Sequence, residues 1–123
     1  MVNSSPGKVV EAWIEAFNRR DIESLLTLYA DNAITHQAPE SFVTGKEALR
    51  SLYEELFASD AEMTCIPRNL IEQGDTVVLE WVDPNGLRGC SIYQVADGKI
   101  KFQRGYWDKL SFLRLQGLPL PGA

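Results

Sequence analysis

Residues 76–108 read TVVLEWV-DPNG-LRGCSIYQV-ADGK-IKFQRGYWD, and they are the most informative part of this chain. It contains three strand-like runs in which apolar and polar residues alternate, as they do in half-buried β-strands. The runs are joined by Asp83–Gly86, a typical β-turn sequence, and by Ala96–Gly98, which has the composition of a hairpin turn. The stretch is therefore predicted to form an antiparallel meander.

One face of this predicted meander has an unusual composition. Its alternating positions hold large aromatic residues, one acid and several neutral polar groups, namely Leu79, Trp81, Asp83, Ser91, Tyr93, Gln103 and Trp107. A packed core seldom combines such side chains, whereas a ligand pocket has an apolar wall with a few polar groups that orient the ligand. A small-molecule site is therefore the leading interpretation of this face.

The chain before the meander has the apolar spacing of helices. Ser5-Pro6 marks the start of the first, because serine caps helices and proline is favoured in their first turn. Asp21 is predicted to cap a second helix that extends through Tyr29, and Thr44–Glu47 is a capping box before a third. The remaining predicted elements are strands over 33–37 and 62–71 and a helix over 109–116. Helices followed by a meander indicate an α+β fold, here one domain over residues 1–123.

Composition and charge exclude several classes of binding partner and cofactor. A net charge of −5 with dispersed basic residues argues against a nucleic-acid surface. No apolar run approaches the roughly 20 residues of a membrane span, and the N-terminus lacks the apolar core of a signal peptide. Cys65 and Cys90 are therefore expected to be reduced thiols in the cytoplasm. Two cysteines and one histidine show no metal-ligand spacing, so neither a metal nor a cofactor is expected.

Three segments resemble the NTF2-like superfamily, and within it the SnoaL-like group. They are AWIEAFNRRDIESLLTLYADNA at 12–33, TGKEALRSLYEELF at 44–57 and ADGKIKFQRGYWD at 96–108. The resemblance implies a cone in which a curved antiparallel sheet wraps a long N-terminal helix, with a pocket between them. Members of this superfamily include ketosteroid isomerases, limonene-epoxide-hydrolase-like enzymes, polyketide cyclases and proteins without catalytic activity, so the fold alone does not give the function.

The positions that matter in ketosteroid isomerases are all replaced. Trp13 stands where those enzymes have a tyrosine that donates to an oxyanion, Gln37 stands at their general base, and Ser91 stands at their second oxyanion donor. Gln37 cannot accept a proton at neutral pH, so enolisation by that route is not expected. The indole nitrogen of Trp13 can still donate one hydrogen bond.

Of the two aspartates that the limonene-epoxide-hydrolase-like enzymes use, this chain retains one. Their first aspartate falls on Asp83, whereas their arginine falls on Trp81 and their second aspartate on Gly105. Their tyrosine and asparagine fall on Thr35 and Gln37. A single acid without its partner leaves epoxide opening unsupported, and the missing acid at Gly105 weakens the comparison with cyclases in the same way.

Asp83, Gln37 and His36 are the candidate catalytic residues, and each also has a structural explanation. An aspartate that opens a DPNG turn usually bonds the backbone of its own turn, and this explanation is the stronger one. Gln37 is either a satisfied polar core residue or a hydrogen-bond donor to a ligand carbonyl. His36, the single histidine, falls on the opposite face from Gln37, where a surface or interface role is favoured over catalysis.

The other face of the predicted sheet is also apolar. It is expected to carry Ile66, Leu70, Val78, Val82, Ile92, Phe102 and Tyr106, together with the charged residues Arg68, Glu80 and Arg104. A sheet that is apolar on both faces needs a cover on the second one. No further helix is predicted to supply it, so a homodimer through this outer face is expected.

The leading functional hypothesis is a cofactor-independent SnoaL-like enzyme that acts on a small, largely apolar molecule bearing a carbonyl or hydroxyl. Asp83, or less favourably His36, would transfer the proton, and Gln37 would help to orient the polar atom. The predicted substrate-binding residues are Trp13, Phe17, Tyr53, Leu56, Cys65, Trp81, Ser91 and Trp107. The alternatives are a ligand-binding or dimeric interaction module without chemistry, which the replaced catalytic positions favour, and an enzyme with a relocated site.

Overall fold

The computed structural model describes residues 5–38, 42–59 and 64–120. Along the chain the elements are α1 (Pro6–Asn18), α2 (Ile22–Thr27), β1 (Tyr29–Ala38), β2 (Phe42–Thr44), α3 (Lys46–Ser59), β3 (Ile66–Gln73), β4 (Thr76–Val82), β5 (Arg88–Ala96), β6 (Lys99–Trp107) and α4 (Lys109–Leu115). Helices precede the meander, so the predicted α+β class is confirmed. None of the described helices is long and apolar enough to cross a membrane.

The described strands form one six-stranded sheet in the order β2-β1-β6-β5-β4-β3. The strands from β3 to β6 pair antiparallel with their sequence neighbours, as the meander prediction required. β1 pairs with β6 in parallel, so the first strand of the chain lies beside the last. This arrangement brings residues 29–38 next to residues 99–107 and creates contacts that no local pattern contains.

Side-chain caps begin three of the helices where the sequence predicts them. The Ser5 hydroxyl accepts a hydrogen bond from Lys8 N–H at 3.3 Å, and the Asp21 carboxylate accepts one from Ser24 N–H at 3.1 Å. Asp108 accepts from Leu110 N–H at 3.0 Å at the start of α4. Each cap satisfies a backbone donor that the helix itself leaves unpaired, and such a cap typically contributes about 1 kcal/mol.

The predicted boundary between the second helix and the first strand is wrong. α2 ends at Thr27, and Tyr29 begins β1, which is twice as long as the predicted strand over 33–37. The cause is long-range pairing, because Ile100 N–H donates to Leu28 O at 2.7 Å and Tyr29 pairs with Ile100 across β1 and β6. The short strand β2 is also absent from the prediction.

The predicted placement of Leu70 on the outer face is wrong as well. The pairing of β3 with β4 shifts between Pro67 and Asn69, so Leu70 lies opposite the buried Leu79. Leu70 therefore packs against the core, and Ile71 becomes the outward residue, with 60% of its surface exposed. A bulge of one residue reverses the alternation that a sequence pattern assumes. Residues 62 and 63 of the predicted strand lie outside the described residues.

The core lies between the sheet and the helices. α1 contacts β3, β4 and β5, while α3 contacts β1 and β2. Fully buried residues from every layer meet there, including Val10, Leu25, Leu49, Val77, Leu79 and Ile100. The helices leave part of the inner sheet face uncovered, and the candidate site lies in that space.

Candidate functional site

A cavity of about 460 Å³ lies between α1, α3, α4 and the inner face of the sheet. Most of its surface is apolar, with four aliphatic side chains, Val43, Leu52, Leu56 and Leu87, and six aromatic ones, Trp13, Phe17, Tyr53, Trp81, Trp107 and Phe112. The remaining lining residues are Thr35, Thr64, Cys65, Ser91 and Gln103. A volume of several hundred Å³ with few polar groups is typical of small-molecule sites.

All of the side chains predicted to bind substrate lie on this cavity wall. They are Trp13, Phe17, Tyr53, Leu56, Cys65, Trp81, Ser91 and Trp107. Strand register explains the sheet members, because Trp81 pairs with Gly89 and Gly89 pairs with Trp107 on three adjacent strands. Directly paired residues project to the same face, so the two indoles face the same space. The rings of Trp13 and Phe17 stack at 4.9 Å on the opposite side of the cavity.

One end of the cavity carries a buried hydrogen-bonded cluster of four side chains, Trp13, Tyr29, Tyr53 and Gln103. We call it the polar cluster. The indole N–H of Trp13 lies 3.0 Å from the Tyr29 hydroxyl and 3.2 Å from the Tyr53 hydroxyl. The two hydroxyl oxygens are 2.6 Å apart, and the Tyr29 hydroxyl donates to Gln103 Oε1. Its members come from α1, β1, α3 and β6, so only the folded chain assembles it.

Burial keeps both phenols of the polar cluster protonated. It raises the pKa of Tyr53 to about 12, and it raises the pKa of Tyr29 well above its ordinary value. A low-polarity surrounding disfavours the charged phenolate, which is the main physical cause in each case. At neutral pH the cluster is therefore uncharged, and each hydroxyl carries one hydrogen.

Two further polar groups face the cavity from the sheet. Ser91 Oγ accepts a hydrogen bond from Trp81 Nε1 at 3.3 Å, which fixes the indole against the wall. The Thr35 hydroxyl is buried, and among the described residues it has no hydrogen-bond partner. Thr35 pairs with Gln103 across β1 and β6, so this hydroxyl lies at the same end of the cavity as the polar cluster. An unpaired buried hydroxyl facing a cavity can hydrogen-bond to a ligand.

Gly89 is what allows Trp81 to lie flat on the neighbouring strand. A Cβ atom at this position would come within 2.1 Å of Trp81 Cζ2, which is far inside van der Waals contact. The indole therefore occupies the space that a side chain would fill. Because Trp81 lines the cavity, Gly89 sets the shape of this wall without being part of it.

Asp83 is buried but lies outside the cavity lining. Its Oδ1 accepts hydrogen bonds from Asn85 N–H at 2.9 Å and Leu87 N–H at 2.8 Å. The backbone of Asp83 pairs with Leu87 O and Gly86 N–H in the same turn. This placement favours the turn interpretation of Asp83 and does not support its role as proton carrier.

His36 and Gln37 are not brought together at the cavity either. The His36 ring stacks on Phe42 at 4.2 Å and is half-buried, and His36 is not among the described lining residues. The backbone of Gln37 pairs with Gly105, while its side chain lies outside the described part of the structure. The geometry therefore supplies no support for His36 in catalysis, and the role of Gln37 stays a prediction.

Cys65 is an apolar part of the wall. Burial raises the pKa of its thiol to about 12, so the thiol is protonated at neutral pH. Its backbone is held by Asn18, whose side chain accepts from Cys65 N–H at 2.8 Å and donates to Cys65 O at 3.0 Å. Among the described residues, no group of three or more His, Cys, Asp or Glu side chains is arranged to hold a metal ion.

The sequence reasoning missed Tyr29 and underrated Thr35 and Gln103. Gln103 had the right alternation on β6, and Thr35 entered only through the comparison with epoxide hydrolases. Tyr29 was assigned to a helix, which removed it from any strand face. Tyr29 could have been recognised only from the pairing of its strand with the last strand. That pairing is visible only in the folded structure.

Comparison with known proteins now identifies the family. The sequence-family model of the SnoaL-like domain matches residues 10–103 of this chain. The chain belongs to the SnoaL-like family. The matched span includes both the helix with Trp13 and the strand with Gln103, so it contains the whole polar cluster.

Solved structures show the same fold. The candidate polyketide cyclase IdmH from Streptomyces antibioticus has a TM-score of 0.80 and 22% identity, over 94% of this chain and 100% of that one. A protein with a ketosteroid isomerase-like fold from Catenulispora acidiphila, in complex with trimethylamine, has a TM-score of 0.79 and 22% identity, over 94% and 96%. An LEH-like epoxide hydrolase from M. tuberculosis has a TM-score of 0.75 and 18% identity, over 89% and 87%.

These similarities confirm the predicted NTF2-like cone and the SnoaL-like resemblance. Identities of 18–22% establish the fold and carry no activity to this chain. No curated protein matches the chain closely enough to count as a relative.

Proposed function

We propose that this protein binds a small, largely apolar molecule with one polar oxygen in the cavity between α1, α3 and the sheet. The observation that carries the proposal is the composition of the wall, which is aromatic and aliphatic except at the end formed by the polar cluster, Thr35 and Ser91. Such a wall favours an apolar body, and a few hydrogen-bonding groups fix its orientation.

The electrostatics of the wall support a neutral ligand. The described lining residues include no Asp, Glu, His, Lys or Arg, and the pKa values of Tyr53 and Cys65 are both about 12. A charged group would lose its hydration in this cavity without a counter-ion, which is costly. A neutral molecule with a hydroxyl or carbonyl avoids that cost.

The family also contains enzymes, and a cofactor-independent enzyme is the second candidate. The polar cluster favours it, because it holds the Tyr53 hydroxyl rigidly at an apolar wall, and fixed hydrogen-bonding groups in such surroundings stabilise developing charge. In this candidate the described wall contributes hydrogen bonds to the substrate, while proton transfer by Asp83 or His36 finds no geometric support. Turnover of a bound ligand that disappears in Tyr53→Phe would favour this candidate.

Ligand binding can be tested with a variant that fills the cavity. Leu56 lies on α3 and lines the cavity, so Leu56→Trp should occupy part of its volume. Ser51→Trp places the same side chain on the exposed face of the same helix and serves as the control. Isothermal titration with small bicyclic aromatic alcohols should show saturable binding by the wild type and by Ser51→Trp, and at least about tenfold weaker binding by Leu56→Trp.

Two results would contradict the proposal. One is the absence of saturable binding to the folded wild type across such a series. The other is binding that is equally strong in Leu56→Trp and Ser51→Trp, because the ligand would then occupy another part of the molecule.

We also propose that a second copy of the chain covers the outer face of the sheet. Apolar side chains on this face are substantially exposed, with Ile71 at 60%, Tyr106 at 45% and Ile66 at 39%. Arg104 and Glu80 lie among them, and an apolar centre with charges of both signs suits a two-fold interface. Sedimentation velocity should give a dimer mass for the wild type and a monomer for Tyr106→Glu, with Leu115→Glu on α4 as the control. A monomer mass for the wild type at every concentration would contradict this proposal.

A cytoplasmic location is a further part of the proposal. Cys65 and Cys90 are free thiols, and a reducing compartment keeps thiols in that state. Fractionation of the source cells would check it, and recovery of the protein in an exported fraction would contradict it.

A further inference from the structure

The C-terminal helix α4 lies between the cavity and the solvent. Phe112, in the middle of this helix, lines the cavity. Leu110 and Leu115, on the same helix, are not among the described lining residues, and 46% and 47% of their surface is exposed. A helix with the cavity on one side and solvent on the other forms a wall that is a single layer thick.

A ring pair joins α4 to the sheet at this wall. The ring centroids of Trp107 and Phe112 are 5.4 Å apart and the rings are inclined at 68°, which is edge-to-face packing. Trp107 is the last residue of β6, and like Phe112 it lines the cavity and is half-buried. Separation of these two rings would therefore open the wall where β6 ends.

The hydrogen bonds of α4 all close within residues 108–118 in the part of the chain that the structure describes. The Asp108 carboxylate accepts from Leu110 N–H at 3.0 Å, and at the other end Leu118 N–H donates to Leu113 O at 2.8 Å. No described ion pair reaches the helix either. The helix can therefore move away without breaking a hydrogen bond to another element.

The other two helical walls of the cavity are anchored in the core. Trp13 and Phe17 on α1 are each 6% exposed, and Leu49 on α3 is fully buried. The core cluster contains residues of α1 and α3, and none of its described members belongs to α4. Segments with few buried apolar contacts open locally at a lower free energy than the core, so we expect α4 to open before α1 or α3.

We propose that α4 is the gate of the cavity. It moves away about the peptide between Trp107 and Asp108, Phe112 separates from Trp107, and the ligand enters and leaves through the gap. The inference rests on the proposed ligand-binding function and adds how that site is reached. When binding requires a conformational step, the association rate falls with the fraction of molecules that are open.

The association kinetics of Phe112→Ala test the gate. Loss of the ring pair should increase the open fraction, and with it the association rate constant of 2-naphthol, by about three- to tenfold. Dissociation should accelerate by at least the same factor, because the ligand also loses a wall contact. Phe112→Tyr keeps the ring and should keep the wild-type association rate constant. Stopped-flow tryptophan fluorescence measures both rate constants.

Leu56→Ala is the matched control, because Leu56 lines the cavity from α3. It removes a wall contact without loosening α4, so it should accelerate dissociation and leave the association rate constant unchanged. If α4 were a fixed wall, Phe112→Ala would behave in the same way as this control. The association rate constant therefore separates a gate from a contact that only packs against the ligand.

Hydrogen exchange of the wild type tests the gate without any substitution. The Phe112 and Gln116 amides are hydrogen-bonded within α4, and a helix of seven residues is not stable once it leaves the fold. In the free protein these amides should exchange at least about tenfold faster than those in the middle of α3. Saturation with 2-naphthol should slow the exchange of α4, because the bound ligand favours the closed position.

The outcomes separate the gate from the proposed function. Two results overturn the gate while the cavity remains a binding site: an association rate constant of Phe112→Ala equal to that of the wild type, or α4 amides protected as strongly as those of α3. Absence of saturable 2-naphthol binding to the folded wild type overturns the function and the gate together. Because the exchange experiment uses the wild type, it decides the question even if Phe112→Ala does not fold.

Discussion

Asp83 and the polar cluster are both buried and polar, but their hydrogen-bond partners come from different distances along the sequence. The Asp83 carboxylate takes its hydrogen bonds from backbone amides two and four residues further along the chain. The polar cluster joins side chains 16, 24, 40 and 74 residues apart in sequence. The first arrangement holds a turn, and the second faces a cavity. Its charge and its place on the predicted inner face made Asp83 the first catalytic candidate, whereas the positions of the hydrogen-bond partners direct attention to the uncharged polar cluster.

Alkaline pH should lower the free energy of unfolding more than any of the substitutions below, because it deprotonates the buried tyrosines of the polar cluster. Burial raises the pKa of Tyr53 from 10.0 to about 12, so the folded state holds the proton more tightly than the unfolded state does. The associated stability is fully present below pH 10 and is lost as the pH rises towards 12. Tyr53 alone accounts for about 3 kcal/mol over that interval, and Tyr29 acts in the same direction.

Urea unfolding between pH 8 and pH 11.5 measures this loss, with phenolate absorbance followed in parallel. Tyr53→Phe is the control, and its stability should fall less steeply over the same interval. A wild-type protein whose stability is constant to pH 11.5 would show that the cluster is not buried as described.

Asp83→Ala should cause the next largest loss of stability. It leaves the Asn85 and Leu87 amides of a buried turn without an acceptor, which we expect to lower the free energy of unfolding by about 2–3 kcal/mol. Asp83→Asn keeps one acceptor oxygen and should lose about half as much. Chemical denaturation measures the stability, and titration with 2-naphthol, a small bicyclic aromatic alcohol, should give an unchanged Kd for the folded protein. Normal stability combined with lost binding would instead show that the Asp83 carboxylate contributes to the ligand site.

Gly89→Ala tests the wall next to the cluster. Its Cβ would meet the Trp81 ring at 2.1 Å, so the ring must shift, at a cost of about 1–3 kcal/mol. Adding Trp81→Phe provides a smaller ring and should recover part of the loss, which a double-mutant cycle quantifies. Additive effects of the two substitutions would show that the ring does not occupy this space.

Ser91→Ala should lower the free energy of unfolding the least. It removes the acceptor of the Trp81 N–H, and the 3.3 Å separation indicates a weak bond, so we expect a loss of about 1 kcal/mol or less. Thermal unfolding and the indole N–H resonance of Trp81 report it. A loss as large as that of Asp83→Ala would place Ser91 in a network larger than this one.

The sequence predicted local features well and long-range ones poorly, for a physical reason. The caps at Ser5, Asp21 and Asp108 and the meander from residue 76 depend on neighbours within a few positions. Alternation along β4, β5 and β6 also identified much of the cavity wall. Tyr29 was misplaced because its conformation depends on pairing with Ile100, about seventy residues away.

The polar cluster could not be predicted as a cluster for the same reason. Trp13, Tyr53 and Gln103 were each recognised as facing the site, but the sequence gives no distance between a helix face and a strand. The direction of their hydrogen bonds depends on those distances. Asp83, in contrast, was understood correctly in its structural alternative because the DPNG turn contains its own partners.

A crystal structure of the protein with 2-naphthol would show directly whether the cavity binds a ligand. We expect a naphthalene ring between Trp13, Trp81 and Trp107, with its hydroxyl oxygen at the end of the cavity formed by the polar cluster and Thr35, within about 3 Å of one of their polar atoms. A ligand whose oxygen points away from this end, or a cavity that stays empty while 2-naphthol binds elsewhere, would contradict the proposed binding site.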